Sequence, residues 1–322
     1  MKDIYDIVRV VRSRSGQKFA LATLVRAEGS SYRRPGARML VCADGLTIGS
    51  LSGGCLEEEV AAEARDVLAG GIPKRISFDT RRRFGCNGQI EIFIERIGEK
   101  LLTEIGNCLD QRSSCTIATV FGISSAGEAV SFPDPSLGSR IISAEEREAG
   151  SFPYTNLALV QEIHPPLRLL VFGDGPDSDP IRQLCDILGW LVVDVPDACA
   201  VTLEPDAWTA AIVKSHNYGR DFAALQKLLP LNLPYVGLVG PRKRRDQLLH
   251  DLLEIGLSIN AGFFAPAGLD LAAETPQEIA LAIIGEIQHV FAGGTRVSLR
   301  ERKSAIHISR SHRETRCEVP LP

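Results

Sequence analysis

Leu167-Arg168-Leu169-Leu170-Val171-Phe172-Gly173-Asp174-Gly175-Pro176-Asp177-Ser178 carries a short apolar run into a glycine turn and then into the helical stretch Ile181–Leu188. A strand that enters G-x-G and leaves as a helix is the local pattern of a dinucleotide fold. The residues that follow repeat the alternation. Trp190–Val195, Ala210–Lys214 and Tyr235–Val239 are short apolar strands, separated by helical patterns at Asp221–Leu229 and Arg244–Ile255. Such alternation implies a parallel sheet covered on both faces. A last helix opens on Thr275-Pro276-Gln277-Glu278, which supplies a cap, a proline at the first helical position and a glutamate to close the box. It is expected to run to Phe291 and stop at Gly293-Gly294. The reading is a doubly wound parallel-sheet domain over 164–295, followed by a basic tail over 296–322.

Upstream the pattern differs. His164-Pro165-Pro166 marks the boundary, because residues before proline avoid helix and proline lacks a donor. Before it, Phe19–Val25, Arg38–Cys42, Leu46–Leu51, Thr116–Gly122, Glu128–Phe132 and Leu157–Ile163 read as short strands. Gln89–Arg96 alternates Ile90, Ile92 and Ile94 against Glu91, Phe93 and Glu95, the pattern of a half-buried strand. One helix stands out, with Leu56, Val60, Ala64, Val67 and Leu68 on one face and Gly70-Gly71 ending it. Residues 1–163 therefore read as a mixed α+β domain, and the whole chain as α/β.

Composition narrows the function classes. Hydrophobic residues make up 44% of the 322 and charged residues 24%, enough for packed cores. The net charge of −4 gives no global positive field for nucleic acid. No apolar run approaches the roughly 18 residues of a membrane span, and the charged start, MKDIYDIVRVVRSRSG, lacks a signal-peptide core. A cytoplasmic protein is expected, with no nucleic-acid or membrane partner. Its eight cysteines should be reduced there, so an important one is a ligand or nucleophile before it is a staple.

Gly49-Ser50-Leu51-Ser52-Gly53-Gly54-Cys55-Leu56-Glu57 is the most informative stretch for chemistry. Ser52, Gly53 and Gly54 sit where unpartnered helical amides and the helix dipole could seat a phosphate. Cys55 lies at the positive end, where a thiolate is favoured. The alternative is a glycine turn beside a small buried cysteine. Glu57, Glu58 and Glu59 suit the dipole but would repel an anion that they faced. A second glycine-framed cysteine, Cys86, stands in Gly85-Cys86-Asn87-Gly88 behind Arg81, Arg82 and Arg83, and the loop 27–36 adds hydroxyls with Arg33 and Arg34. Zinc-ligand spacing is absent, since there is no CxxC or HxxxH.

In the second domain Gly173 and Gly175 would approach a pyrophosphate, but Ser178 replaces the third glycine and Asp174, Asp177 and Asp179 crowd the turn with carboxylates. The acidic residue expected at the end of the next strand is Asp194 or Asp197. The fold is expected; tight NAD(P) binding is not. His216, in Lys214-Ser215-His216-Asn217, could serve as base, ligand or cap, and Arg242-Lys243-Arg244-Arg245 could hold an acidic ligand or simply be solvated.

Taken in order, these pieces resemble the xanthine dehydrogenase accessory family, the XdhC/CoxI-like proteins. The resemblance rests on Ala22–Ser31, Arg33–Met39, Gly49–Glu57 and Gly85–Gly88, then on Val171–Gly175, Ser215–Asn217, Val236–Gly240, Pro266–Asp270 and Thr275–Ala280. It implies a Rossmann-like second domain and a non-catalytic molybdenum cofactor chaperone. Such a protein takes molybdopterin as cargo, protects it while a cysteine desulfurase supplies sulfur, and delivers it to a xanthine-dehydrogenase-like apoenzyme. Molybdopterin carries a phosphate, which suits the Gly53-Gly54 helix start, and a thiophilic molybdenum, which suits Cys55 or Cys86 as metal ligands. The cofactor-binding set is then Arg34, Ser52, Gly53, Gly54, Cys55 and Cys86, with Gly173, Gly175 and His216 in the second domain. Asn87 departs from the family pattern, where glycine is usual. A homodimer with the cargo near its interface is expected from the charged tail and the size of the cargo. The competing readings are an NAD(P)-dependent oxidoreductase or nucleotidyl transferase on the second domain, and a sulfur-transfer protein using Cys55 and Cys86 as a pair.

Overall fold

A computed structural model describes residues 1–14, 16–79, 88–122, 137–148, 158–196 and 204–302. The strand expected at Glu128–Phe132, Arg81–Arg83, Cys86, Asp197 and residues 303–322 of the basic tail lie outside the described residues.

The N-terminal half contains two antiparallel sheets. The first has β1 (Phe19–Gly29), β2 (Arg38–Cys42), β3 (Thr47–Gly49), β4 (Lys74–Asp79) and β5 (Gly88–Ile97), in the order β3-β2-β1-β5-β4. Its period-2 side chains build two cores. Ala20, Ala22, Leu24, Met39, Val41, Ile90, Ile92 and Ile94 face α2 (Glu57–Gly70), which contributes Val60, Ala64, Val67 and Leu68. Phe19, Leu21, Leu40 and Ile97 face the other way, against α1 (Lys2–Ser13) and α3 (Glu99–Asp110). The second sheet covers part of that face with β6 (Cys115–Val120), β7 (Gly138–Ile142) and β8 (Ala158–Ile163), in the order β7-β6-β8; a short helix, α4 (Ala144–Glu148), lies between β7 and β8 in the chain.

This second sheet corrects the reading of β5. Phe93 and Glu95 were expected on a solvent face, yet they are 0% and 5% exposed. Phe93 packs with Val25 and Phe121, while Glu95 accepts hydrogen bonds from the Ser139 amide (2.9 Å) and hydroxyl (2.5 Å) of β7. Burial pushes the Glu95 carboxyl up. Arg38, also buried, reaches the Gly36 carbonyl and Gln161 of β8, so the loop before β2 is tied across the sheet interface.

The C-terminal half is a five-stranded parallel sheet of β9 (Arg168–Phe172), β10 (Leu191–Val195), β11 (Thr209–Val213), β12 (Tyr235–Leu238) and β13 (Phe263–Phe264), ordered β10-β9-β11-β12-β13. Helices α6 (Tyr218–Leu228) and α7 (Arg242–Glu254) cover one face; α5 (Ser178–Leu188) and α8 (Pro276–Ala292) cover the other. The expected capping box at Thr275 and Glu278 is formed. Strand order reverses between β9 and β11, and ligands of open α/β sheets bind beyond the carboxyl ends at such a point.

The two halves are pinned together. Arg112 donates to both carboxylate oxygens of Asp206, at 2.8 and 3.0 Å, and to the Trp208 carbonyl. Tyr5 donates to the His164 carbonyl at 2.9 Å, and the His164 ring stacks on Trp208 at 4.1 Å.

Candidate functional site

Three stretches meet at one end of the antiparallel sheet. Arg33 donates to the Ser50 hydroxyl at 3.0 Å and pairs with Asp3 of α1, joining the loop before β2 to the turn before α2. Tyr32, 71% exposed, lies over Gly53: a Cβ built there would stand 3.8 Å from its ring. Gly88 opens β5 so close to the end of β1 that a Cβ would meet the Ser30 and Glu28 carbonyls at 2.4 and 2.6 Å. Arg34 is exposed on the same loop as Tyr32.

The turn before α2 does not leave its amides open for phosphate. Ser52 Oγ accepts from the amides of Gly54, Cys55 and Leu56 at 3.1 to 3.3 Å. The Glu57 carboxylate folds back and accepts from the Leu51, Ser52 and Leu56 amides and from the Ser52 hydroxyl, at 2.7 to 3.1 Å. Of the two readings left open for Ser52–Gly54, a phosphate seat or glutamates that suit the dipole, the geometry shows Glu57 at the helix start, accepting from the Leu51, Ser52 and Leu56 amides. Burial raises the Glu57 carboxyl, but the hydrogen bonds from Ser52 and Leu56 outweigh it and hold the group below the usual glutamate range. The anion-friendly geometry was legible; the glutamate that satisfies it was the ambiguous part of the sequence.

Cys55 is exposed, so the alternative of a small buried core cysteine does not hold. The clasp fixes the backbone on both sides of it, and Gly53, two residues earlier, lies under the Tyr32 ring. Sequence reasoning missed Tyr32; an aromatic residue among Ser30, Ser31, Arg33 and Arg34, with no apolar neighbour to pack on, was the available signal.

The other candidates lie at the carboxyl edge of the parallel sheet. His216 is exposed, at φ 54°, in the turn after β11. Beside it Ser215 donates to the buried Asp221 carboxylate through its amide (3.1 Å) and hydroxyl (2.6 Å), and Arg244 pairs with the second Asp221 oxygen at 3.0 Å. One arginine of the basic cluster is thus a structural counter-ion. Asp194 accepts two hydrogen bonds from Arg182 of α5, at 3.0 and 3.3 Å. Gly173 borders a cavity of about 160 Å³, lined also by Phe172, Val195, Pro196, Ser215 and Arg220 among others. Arg34 and Ser52–Cys55 therefore belong to the antiparallel end, and Gly173, Gly175 and His216 to the parallel edge. Among the described residues, His250, Asp251 and Glu254 could approach one cation, but Tyr218 and Gln247 already donate to Asp251.

The chain resembles known proteins over most of its length. Residues 13–79 match the XdhC and CoxI family, and residues 169–287 match the XdhC Rossmann domain. A Bacillus subtilis protein described as a probable subunit of xanthine dehydrogenase is 30% identical, over 84% of this chain and 92% of the relative. The molybdenum cofactor insertion chaperone PaoD of Escherichia coli is 24% identical, over 86% of this chain and 84% of PaoD. A crystal structure described as a xanthine dehydrogenase from Bacillus halodurans superposes with a TM-score of 0.76 at 23% identity, covering 92% of this chain and 98% of that one. This last likeness shows the shared fold. No described helix is long and apolar enough to cross a membrane.

Proposed function

The chain belongs to the XdhC and CoxI family, and from that premise we propose that it is a molybdenum cofactor insertion chaperone serving a xanthine-dehydrogenase-family molybdoenzyme. One observation carries the assignment of the site: the exposed Cys55, set in the turn that the Ser52–Glu57 clasp holds and whose Gly53 lies under the exposed Tyr32 ring.

The residues fit such a cargo in two ways. A thiol at a helix start is a soft ligand for thiophilic molybdenum, and a flat heteroaromatic pterin can stack on a solvent-facing phenol ring. Gly53 leaves the face of the Tyr32 ring free of a side chain, and Arg34 adds positive charge on the same loop for the cargo's phosphate. Cys86 joins Cys55 in this proposal as a second molybdenum contact. Few permanent ligands suit a carrier, which must release what it binds. The chain's part is to hold the cargo, shield it from solvent while sulfur is supplied by a cysteine desulfurase, and hand it to the apoenzyme. Two chains facing each other across this end would close the shield, which is the form proposed for a homodimer. Residues 1–163 are proposed as the cargo domain and 164–295 as its partner domain.

The test is anaerobic binding of molybdenum cofactor to the reduced protein and to Cys55→Ala. Stoichiometric binding by the wild type, weakened at least tenfold in Cys55→Ala, is expected. A wild type that binds no cofactor would overturn the proposal.

A further inference from the structure

Lys214 is fully buried at the parallel edge, 0% exposed, although it directly follows the last residue of β11. Its ammonium reaches under the glycine turn. It donates to Asp177 Oδ1 at 2.9 Å and to Ser178 Oγ at 2.8 Å, at the first residues of α5. Asp177 and Ser178 are themselves 6% and 7% exposed. In a dinucleotide fold this is the place of the pyrophosphate, whose charge meets the helix start while glycines let it come close.

Here the glycines serve contacts within the chain. Gly173, at φ 107°, lies so near β11 that a Cβ would stand 2.4 Å from Ser215 Cα and 2.6 Å from its nitrogen. A Cβ at Gly175 would stand 2.8 Å from Asp177 Oδ1 and 3.3 Å from Lys214 Nζ. The first glycine admits the backbone of the neighbouring strand end, and the second admits the ion pair. Two more contacts tie the ends of the neighbouring elements. Arg182 holds Asp194, the acidic residue at the end of β10, and Arg220 of α6 donates to the Pro196 carbonyl at 2.9 Å, bridging from α6 to the residue after β10. Among the described residues, the cavity beside Gly173 measures about 160 Å³, below the roughly 300–1,000 Å³ of small-molecule sites.

We infer that Lys214 locks the parallel-sheet domain against dinucleotides: its ammonium, paired with Asp177 and Ser178 beneath the Gly173–Gly175 turn, occupies the seat that the fold otherwise gives to a pyrophosphate. Three carboxylates in the turn are then explained, because Asp177 answers an internal cation, Asp179 pairs with Arg182 at 2.8 Å and the exposed Asp174 adds negative potential outside. The domain contributes the rigid face against which the N-terminal half is pinned through Arg112 and Asp206, and it takes no nicotinamide or adenine nucleotide.

Two measurements on the full chain test this. The first is calorimetric titration of the wild type with NAD⁺, NADPH and ATP at millimolar concentration, each expected to give no saturable heat. Saturable binding of any of the three that is lost in Gly173→Val would overturn the lock; binding that Gly173→Val leaves intact lies away from this turn and leaves the lock standing. The second is amine labelling of the native protein read by mass spectrometry. Lys214 is expected to stay unlabelled while the exposed Lys243 reacts; equal labelling of both would overturn the buried pair. A Lys214→Met variant that folds should melt about 10 °C lower than the wild type, since it strands Asp177 without its counter-charge. An unchanged melting temperature would also count against the lock.

Discussion

At Gly53-Gly54 the helix start is occupied by a carboxylate near the surface, whereas at Gly173–Gly175 it is occupied by a buried ammonium–carboxylate pair. Both turns read in the sequence as phosphate seats, and in both the chain supplies its own occupant. The difference lies in burial. Glu57 is only partly buried and sits close in the chain to the exposed Cys55 thiol, so its hydrogen bonds can be traded for water or for a ligand at modest cost. Lys214 and Asp177 have no water to turn to, and separating them leaves a charge uncompensated in the interior. The first turn can open. The second is fixed by the cost of opening it.

The sharpest way to break this comparison is to remove one acid from each turn. Asp177→Ala leaves Lys214 buried and unpaired and should lower stability by about 3–5 kcal/mol in urea unfolding. A loss under about 1 kcal/mol would mean that the second turn is as open as the first. Glu57→Ala should cost less, about 1–2 kcal/mol, because it frees several amides that water can reach. The Leu51, Ser52 and Leu56 amides should exchange faster in that variant, as proton-exchange NMR would show.

The same clasp predicts a pH dependence. Glu57 has its carboxyl held below the usual value of 4.5, so its folded state binds a proton less readily than its unfolded state. The stabilisation is complete above that usual value and is lost as pH falls through the lowered one. Between about pH 5 and pH 3 the wild type should lose more stability than Glu57→Gln. Parallel pH profiles would separate the Glu57 carboxylate from the protein's other acids. The smallest stability change is expected from Cys55→Ala, within about 0.5 kcal/mol, because the thiol is exposed. A larger loss would place Cys55 in the packing instead of at the surface.

The comparison also shows what a sequence exposes and what it hides. The parallel sheet was legible because each strand is a short apolar run and each helix carries its own period and stop, as at Gly189 and Gly293. The α2 face was legible for the same reason. Helices α1 and α3 were overlooked, although Ile4, Ile7, Val8 and Val11, and Leu102, Ile105 and Leu109, keep helical spacing and are buried. Burial of Glu95 was not legible, because its hydrogen-bond partner Ser139, on β7, lies 44 positions further on. The occupants of the two turns show the limit best. Glu57 is one of three consecutive glutamates, and only the fold-back of its side chain separates it from Glu58 and Glu59. Lys214 closes an apolar run as a surface residue would; its partner Asp177 lies 37 positions earlier and meets it only once β9 and β11 pair.

Amide hydrogen exchange of the full chain, with and without molybdenum cofactor under anaerobic conditions, tests the central contrast most directly. Protection on cargo binding should appear at 30–36 and 50–57, with 172–178 and 213–221 unchanged. Protection confined to the second pair of segments would contradict the account, because it would put the cargo at the turn that Lys214 is argued to close.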